Sequence, residues 1–259
     1  MRPFHLIAAF MRASLQQELA YRSNFWISLL NSLLSLVVGV LSLQVIFAQV
    51  DSLRGWDHSQ ALTLLGVYLI VSALRGLFIG PSLEELAGMG QEVMTGRFDF
   101  TLLRPVDTQF LVTFRVWRLS SLVDLAVGVG VIVAARPVNA AAHLPAFLLA
   151  LLAGAAVLYS LLLAFTALVF WSPGFTFTWV FDAFFQLARY PVVIYPGWLR
   201  VLLTWLVPVG LMTTVPAQAL TGSAAPQTLA AGAALALALL GASSLFFRRA
   251  LRRYASASS

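Results

Sequence analysis

The sequence predicts an all-α polytopic membrane protein with six transmembrane helices, and three observations carry that prediction. Of its 259 residues, 60% are hydrophobic and only 10% are charged, whereas a soluble domain is nearer a quarter charged. The apolar residues gather into runs long enough to cross a bilayer, which takes about 20 residues of helix. The charges fall mostly in the gaps between those runs. All 16 basic residues are arginine, with no lysine and no cysteine. Without cysteine there is no disulfide framework, thiolate zinc site or cysteine nucleophile. Without lysine there is no nucleotide-binding phosphate loop of the usual kind.

Residues 1–24 read as an amphipathic helix on the membrane surface. Phe4, Ile7, Met11, Leu15 and Leu19 share one face, opposite His5, Arg12 and Gln16. The first span, 25–48, carries no charge; its length and the 24 residues before it argue against a cleaved signal peptide. The second, 61–80, contains Arg75. A polar segment, 81–111, follows, and then the third span, 112–135, with Arg115 and Arg118 near its start and Asp124 inside it. The fourth is 145–171 and the fifth 176–194, a weaker span holding Asp182 and Arg189. Residues 195–218 combine three of the prolines around Arg189–Gln218 with an apolar piece, Leu199–Val209, too short to cross. Proline breaks helices, and irregular backbone at membrane depth must be buried in protein or line a cavity. This segment therefore reads as a re-entrant extracytoplasmic hairpin, followed by the sixth span, 228–247, and a tail, 248–259.

Arginine bias sets orientation. Six spans put both termini on the side of residues 81–111, and that side holds eleven arginines against four (Arg54, Arg136, Arg189 and Arg200) on the other. The termini are therefore expected in the cytoplasm. The basic excess is a topology signal rather than a nucleic-acid surface.

The cytoplasmic segment opens PSLEEL, in which Ser82 and Glu85 have the spacing of a capping box and Pro81 marks the end of the preceding span. Leu83, Leu86, Ala87, Val93 and Met94 follow at helical spacing, Gly96 reads as the stop, and RFDFTLLRP forms a short amphipathic element ended by Pro105. Two readings are open: a staple holding the turn to the membrane, or a docking element for a soluble partner. The stretch Gly96-Arg97-Phe98-Asp99-Phe100-Thr101-Leu102-Leu103-Arg104-Pro105-Val106 resembles the G-x-x-D-x-x-L-L-R-P signature of one subfamily of bacterial exporter-class (type-2) ABC transporter permeases. Tyr190-Pro191, Tyr195-Pro196, Pro208 and Pro216-Ala217 resemble that subfamily's external hairpin. The resemblance implies a multi-pass protein of the bacterial cytoplasmic membrane, working as a dimer with a second permease, identical or homologous. It also implies contact with a separate ABC ATPase dimer that binds ATP and magnesium, through a coupling helix containing Glu85, Gly96, Asp99, Leu103, Arg104 and Pro105.

Inside the spans, Arg75, Asp124 and Asp182 are expensive to bury and are expected to face protein or water. Arg75 either snorkels or pairs with Asp124 on the adjacent span; Asp124 and Asp182 are also candidates for the transport path. Small-residue pairs Gly76/Gly80 and Ala150/Gly154 are expected to be incidental in a chain so rich in small residues. Tryptophans and tyrosines near span ends read as interfacial anchors. His5, His58 and His143 lack liganding spacing, so no metal is expected, and no nucleophile–base–acid set appears. The competing function is a proton-driven secondary transporter using Asp124 or Asp182. A lipid-handling enzyme is poorly supported, because the cytoplasmic acids are dispersed.

Overall fold

A computed structural model describes residues 3–20, 22–87, 92–93, 95–172 and 177–254. Among them there is no strand, only an isolated bridge between Leu53 and Trp56. The helices are α1 (Pro3–Ala20), α2 (Arg22–Phe47), α3 (His58–Leu74), α4 (Gly80–Ala87), α5 (Phe98–Leu102), α6 (Thr108–Phe114), α7 (Leu122–Ala135) and α8 (Ala140–Ala167). They continue with α9 (Phe177–Leu187), α10 (Gly197–Val201), α11 (Val209–Met212), α12 (Thr214–Leu220) and α13 (Pro226–Leu251). Among the described residues, four helical stretches are long and apolar enough to cross a membrane: Phe25–Phe47, His58–Leu86, Ala140–Phe170 and Pro226–Leu251. Two bent pairs raise the number to six if each is one span: Thr108–Phe114 with Leu119–Ala135, bent by 59°, and Gly197–Leu206 with Val209–Leu220, bent by 64°.

The second stretch corrects the expectation that Pro81 ends a helix and that Ser82 caps the next. The helix begins on a true capping box, in which Asp57 accepts from the Gln60 amide at 2.7 Å and Gln60 accepts from the Asp57 amide at 3.1 Å. It then runs without interruption through a π-turn, Arg75–Ile79, into α4. The π-turn allows this, because Gly80 donates five residues back, to the Arg75 carbonyl. Pro81 has no amide to offer the Leu77 carbonyl four residues behind it. That carbonyl accepts instead from the Arg118 amide at 2.9 Å. Ser82 is buried in the helix, not at its end.

Close backbone contact sets the packing of α3 on α7. A Cβ on Gly128 would lie 2.9 Å from the Gly66 carbonyl oxygen and 2.9 Å from the Ile70 amide nitrogen, so only hydrogen fits there. A second such contact lies on α8, where a Cβ on Gly154 would meet the Leu211 carbonyl at 2.8 Å. Gly154 is thus a packing determinant and not incidental.

The fifth element differs from the uninterrupted helix expected over 176–194. Helix α9 is eleven residues long, about 16 Å at the α-helical rise, half the roughly 30 Å hydrocarbon thickness. Three contacts with α8 show what completes it. Phe181 of α9 lies 6.0 Å from Phe165, Leu211 and Met212 lie on Gly154, and Gly222 lies on His143. Helices α9, α11 and α12 therefore run in succession along α8. Their seam is closed by Thr213, whose hydroxyl donates to the Ala188 carbonyl at 2.8 Å. Residues 189–208 make a sideways excursion from this column.

Replacing Gly128 with Ala should lower stability by about 1–3 kcal/mol, the usual cost of overpacking a tight contact. The thermal midpoint of the purified protein will show it, and Gly130→Ala, where nothing lies within 4 Å of the added Cβ, is the matched control.

Candidate functional site

The residues between α6 and α7 have lost the helical ladder, and their amides need other partners. The Arg115 amide still reaches the Leu111 carbonyl at 3.1 Å. Val116 donates to the Ser82 hydroxyl at 2.7 Å, Trp117 to the Ser14 hydroxyl at 3.1 Å, and Arg118 to Leu77. Ser120 donates to the Glu18 carboxylate at 3.1 Å. Helices α1, α4 and the π-turn thus converge on this break. Ser14 and Glu18 make the inward face of α1 polar, while Leu15 and Leu19 point outward, exposed. The apolar stripe of α1 is consequently free to lie in a lipid interface.

Two arginines of the break and one of the π-turn collect the acids. Arg115, little exposed, pairs with Glu92 at 3.0 Å and Glu85 at 3.2 Å and donates to the Thr101 hydroxyl at 3.3 Å. It ties α6 to α4, to the turn at Glu92 and to α5. Arg118 reaches Glu84 at 3.6 Å, and Glu84 also takes Arg75 at 3.2 Å. Arg75 makes its shortest contact with Asp182 of α9, at 2.6 Å, beneath the rings of Phe181 and Phe185. An Arg75–Asp124 pair is therefore replaced by Arg75–Asp182. The π-turn aims Arg75 toward α4 and α9, whereas Asp124 accepts from the Ser32 hydroxyl of α2. Arg189, expected on the extracytoplasmic side, stacks on Tyr68 in the interior of α3, at 5.2 Å.

Helix α5 has two unlike sides. Inward, Phe98 is fully buried, 5.6 Å from Phe170 and 5.2 Å from Tyr254, and Phe170 in turn lies 6.0 Å from Phe247. This aromatic cluster joins α5 to the ends of α8 and α13. Burial and the neighbouring Asp99 carboxylate push the Tyr254 phenol up to about 12. Outward, Phe100 is 70% and Leu103 80% exposed, and Arg104 and Pro105 are exposed beside them. Gly96 has φ +72°, the left-handed turn that glycine tolerates, just before the N-cap Arg97 of α5. Asp107 caps α6, accepting from the Phe110 amide at 2.9 Å. Of the expected coupling helix, Gly88–Gln91 and Met94 lie outside the described residues.

In the excursion after α9, Tyr195 donates to the Leu187 carbonyl at 2.8 Å, with half-buried Tyr190 nearby. Pro191, Pro196 and Pro208 each immediately precede a helical turn and Pro216 sits in the first turn of α12, where a missing amide costs nothing. Arg200 donates to the Val193 carbonyl at 2.6 Å and to that of Tyr195 at 3.2 Å, holding the loop together. Among the described residues no group of His, Asp or Glu is arranged to hold a metal.

Sequence reasoning missed the parts played by Glu84, Glu92, Arg115, Arg118, Phe98 and Tyr254. The RVWR at 115–118 was a readable signal, since two arginines so near an apolar run need acids close by.

These features define a polytopic helical membrane protein whose charged and exposed machinery sits at one end. The chain belongs to the ABC-2 family transporter proteins, whose family model matches residues 33–258, and it is accordingly the membrane component of an ABC transporter. No individually curated protein matches it.

Removing one partner of a partly buried ion pair strands the other charge. Arg75→Ala and Asp182→Ala should each lower stability by about 1–3 kcal/mol, less than for a fully buried pair. The double variant should lose less than the sum of the two in thermal unfolding. A strictly additive cycle rules out the pair.

Proposed function

We propose that this chain is the permease subunit of an ATP-driven exporter in the bacterial cytoplasmic membrane, moving a hydrophobic or amphipathic compound out of the cytoplasm. ATP and magnesium bind a separate ABC ATPase dimer, and a second permease, identical or homologous, completes the complex. The observation that carries this reading is α5: its inner face is locked into the bundle while its outer face offers bare apolar side chains and an arginine. Arg104 suits lipid phosphates as well as a partner's acids, so it is the locked inner face that favours a docking element over a staple.

Force applied at Phe100, Leu103, Arg104 and Pro105 has two routes inward. One runs through Phe98 to Phe170 and Tyr254 and so to α8 and α13. The other runs through Thr101 and Arg115 to the break beneath α7, with Glu85 as a half-exposed partner of that arginine. Gly96 lets the chain turn into α5, and Asp99 works from inside, beside Tyr254, rather than at the docking face.

Six crossings follow if α6–α7 is the third and α9 with α11–α12 the fifth. Both termini then lie with α5 in the cytoplasm. Moving Arg189 to the interior leaves three arginines, Arg54, Arg136 and Arg200, for the other side, which sharpens the bias. Residues 189–208 are the re-entrant element. Helices α2 and α13 are the least covered of the four long spans, and α2 faces lipid or the second permease. A proton-driven mechanism gains nothing from Asp182, which is engaged by Arg75.

Leu103→Asp combined with Arg104→Ala should reduce copurification with the ATPase about tenfold, or 1–2 kcal/mol, with membrane insertion and thermal midpoint unchanged. Unaltered association and ATP-dependent transport leave the staple reading standing. Reporter fusions at residues 53 and 140 should be extracytoplasmic, and those at 92 and 255 cytoplasmic; an extracytoplasmic residue 92 rules out coupling through α5.

A further inference from the structure

Helix α2 carries a polar stripe in an otherwise apolar span. Ser28, Asn31, Ser32 and Ser35 recur at helical spacing, and Ile27, Leu30, Leu33 and Leu34 around them are more than 40% exposed or face outward. The stripe needs an explanation, since hydroxyl and amide groups in a span are normally answered by a neighbouring helix or a wet cavity. Here it faces a cavity of about 150 Å³, lined also by Tyr68 and Ser72 of α3, Asp124 of α7 and Arg189. A second cavity, of about 410 Å³, lies below it among α1, α4 and the break, where Gln17, Glu18, Glu85 and Arg118 line it. Ser28 and Asn31 line both. A polar lane therefore leads from the α1 end of the molecule into the bundle and stops at Asp124 and Arg189.

The end of the lane holds one carboxylate and one guanidinium that do not pair with each other: the ion pairs among the described residues do not include them. Asp124 has the Ser32 hydroxyl on one oxygen. Arg189 stacks on Tyr68 but leaves its Nε buried with no acceptor. Two opposite charges across a small cavity, one with an unanswered donor, match a ligand carrying both signs. The cavity is well below the roughly 300 Å³ of the smallest pockets for drug-sized ligands, so it fits a head group rather than a whole amphiphile. The exposed apolar side of α2 lies alongside for the rest of the molecule.

We propose that the cavity between α2, α3 and α7 binds the zwitterionic head group of an amphiphile, its ammonium group at Asp124 and its phosphate or carboxylate at Arg189. Assigning that amphiphile as the cargo rests on the exporter reading; the binding itself does not. The serine and asparagine stripe supplies hydrogen bonds along the way in, and the tail stays in the bilayer beside α2.

The test uses the purified full chain alone, without ATPase, titrated in detergent and read by native mass spectrometry. The probes are phosphatidylethanolamine, phosphatidylglycerol and diacylglycerol of identical acyl chains, and free phosphoethanolamine. Phosphatidylethanolamine should bind at least tenfold more tightly than diacylglycerol and more tightly than phosphatidylglycerol. Binding of free phosphoethanolamine at equal strength would make the ligand a solute and overturn the amphiphile. Asp124→Asn keeps the acceptor for Ser32 and removes only the charge, so it should fold and weaken phosphatidylethanolamine tenfold while sparing phosphatidylglycerol. Arg189→Gln should weaken both, and Arg189→Lys should recover part of the loss. Thermal midpoints accompany each variant, and Ser72→Val, which narrows the cavity without touching a charge, should weaken binding as well. Equal affinity for all head groups, or affinities unmoved by the Asp124, Arg189 and Ser72 substitutions, overturns the proposal. Because no ATPase is present, that failure is separate from any failure of coupling through α5.

Discussion

A peptide group away from water must find a partner, and the break between α6 and α7 is where this protein meets that demand with side chains instead of a helix. Each unsatisfied amide there would cost about 1–3 kcal/mol, so the partners are not optional. They come from three places in sequence: Ser14 and Glu18 in α1, Ser82 in α4, and the Leu77 carbonyl left vacant by Pro81. A proline in the second long helix thereby makes the docking point for the third. Remove the break and α1 loses its seat, α4 loses its neighbour, and the acids at Glu84 and Glu85 lose Arg118 and Arg115.

The charges at this end are linked in the same way. Asp182, Arg75, Glu84 and Arg118 form one chain of contacts, and Glu85, Arg115, Glu92 and Thr101 another. Together they join α9, the π-turn, α4, the break and α5. With the Phe98–Phe170–Tyr254 cluster, helix α5 is held on its inner side by aromatic contacts and by the hydrogen bond from Arg115 to Thr101. The outer face, with Phe100, Leu103 and Arg104 exposed, is left bare beside so firmly held an inner one.

Higher in the bundle the logic changes from charge to closeness. Gly66 and Gly128 let α3 and α7 touch backbone to backbone, and Gly154 does the same for α8 and the end of α11. A straight fifth helix would have needed no excursion. By stopping α9 at Leu187 and resuming along α8 from Val209, the chain frees residues 189–208 to move sideways and brings Arg189 against Tyr68. The fifth column is thus helical at both ends and irregular at its middle.

Hydropathy by itself determined that this is a helical membrane protein, because a long uncharged run has few other fates, and the glycine, aspartate and arginine-proline pattern at 96–106 pointed to the permease class that the family match supports in its coarser form. Gly96 was legible as a turn because few residues accept a positive φ. Other features depended on distance and could not be read along the chain. Ser82 and Glu85 have the spacing of a cap, yet Asp57 and Gln60, with a spacing just as readable, form the true one. The cost of Pro81 depended on whether Arg118 lay close enough to use the spare carbonyl. Arg75 had three acids to choose from, Glu84 on its own helix and Asp124 and Asp182 on others, and only the direction imposed by the π-turn selected Asp182 and Glu84 over Asp124. Local sequence sets what each segment needs, in burial, in hydrogen bonds and in charge. Tertiary structure decides which distant residue meets the need, because such partners are chosen by proximity in space.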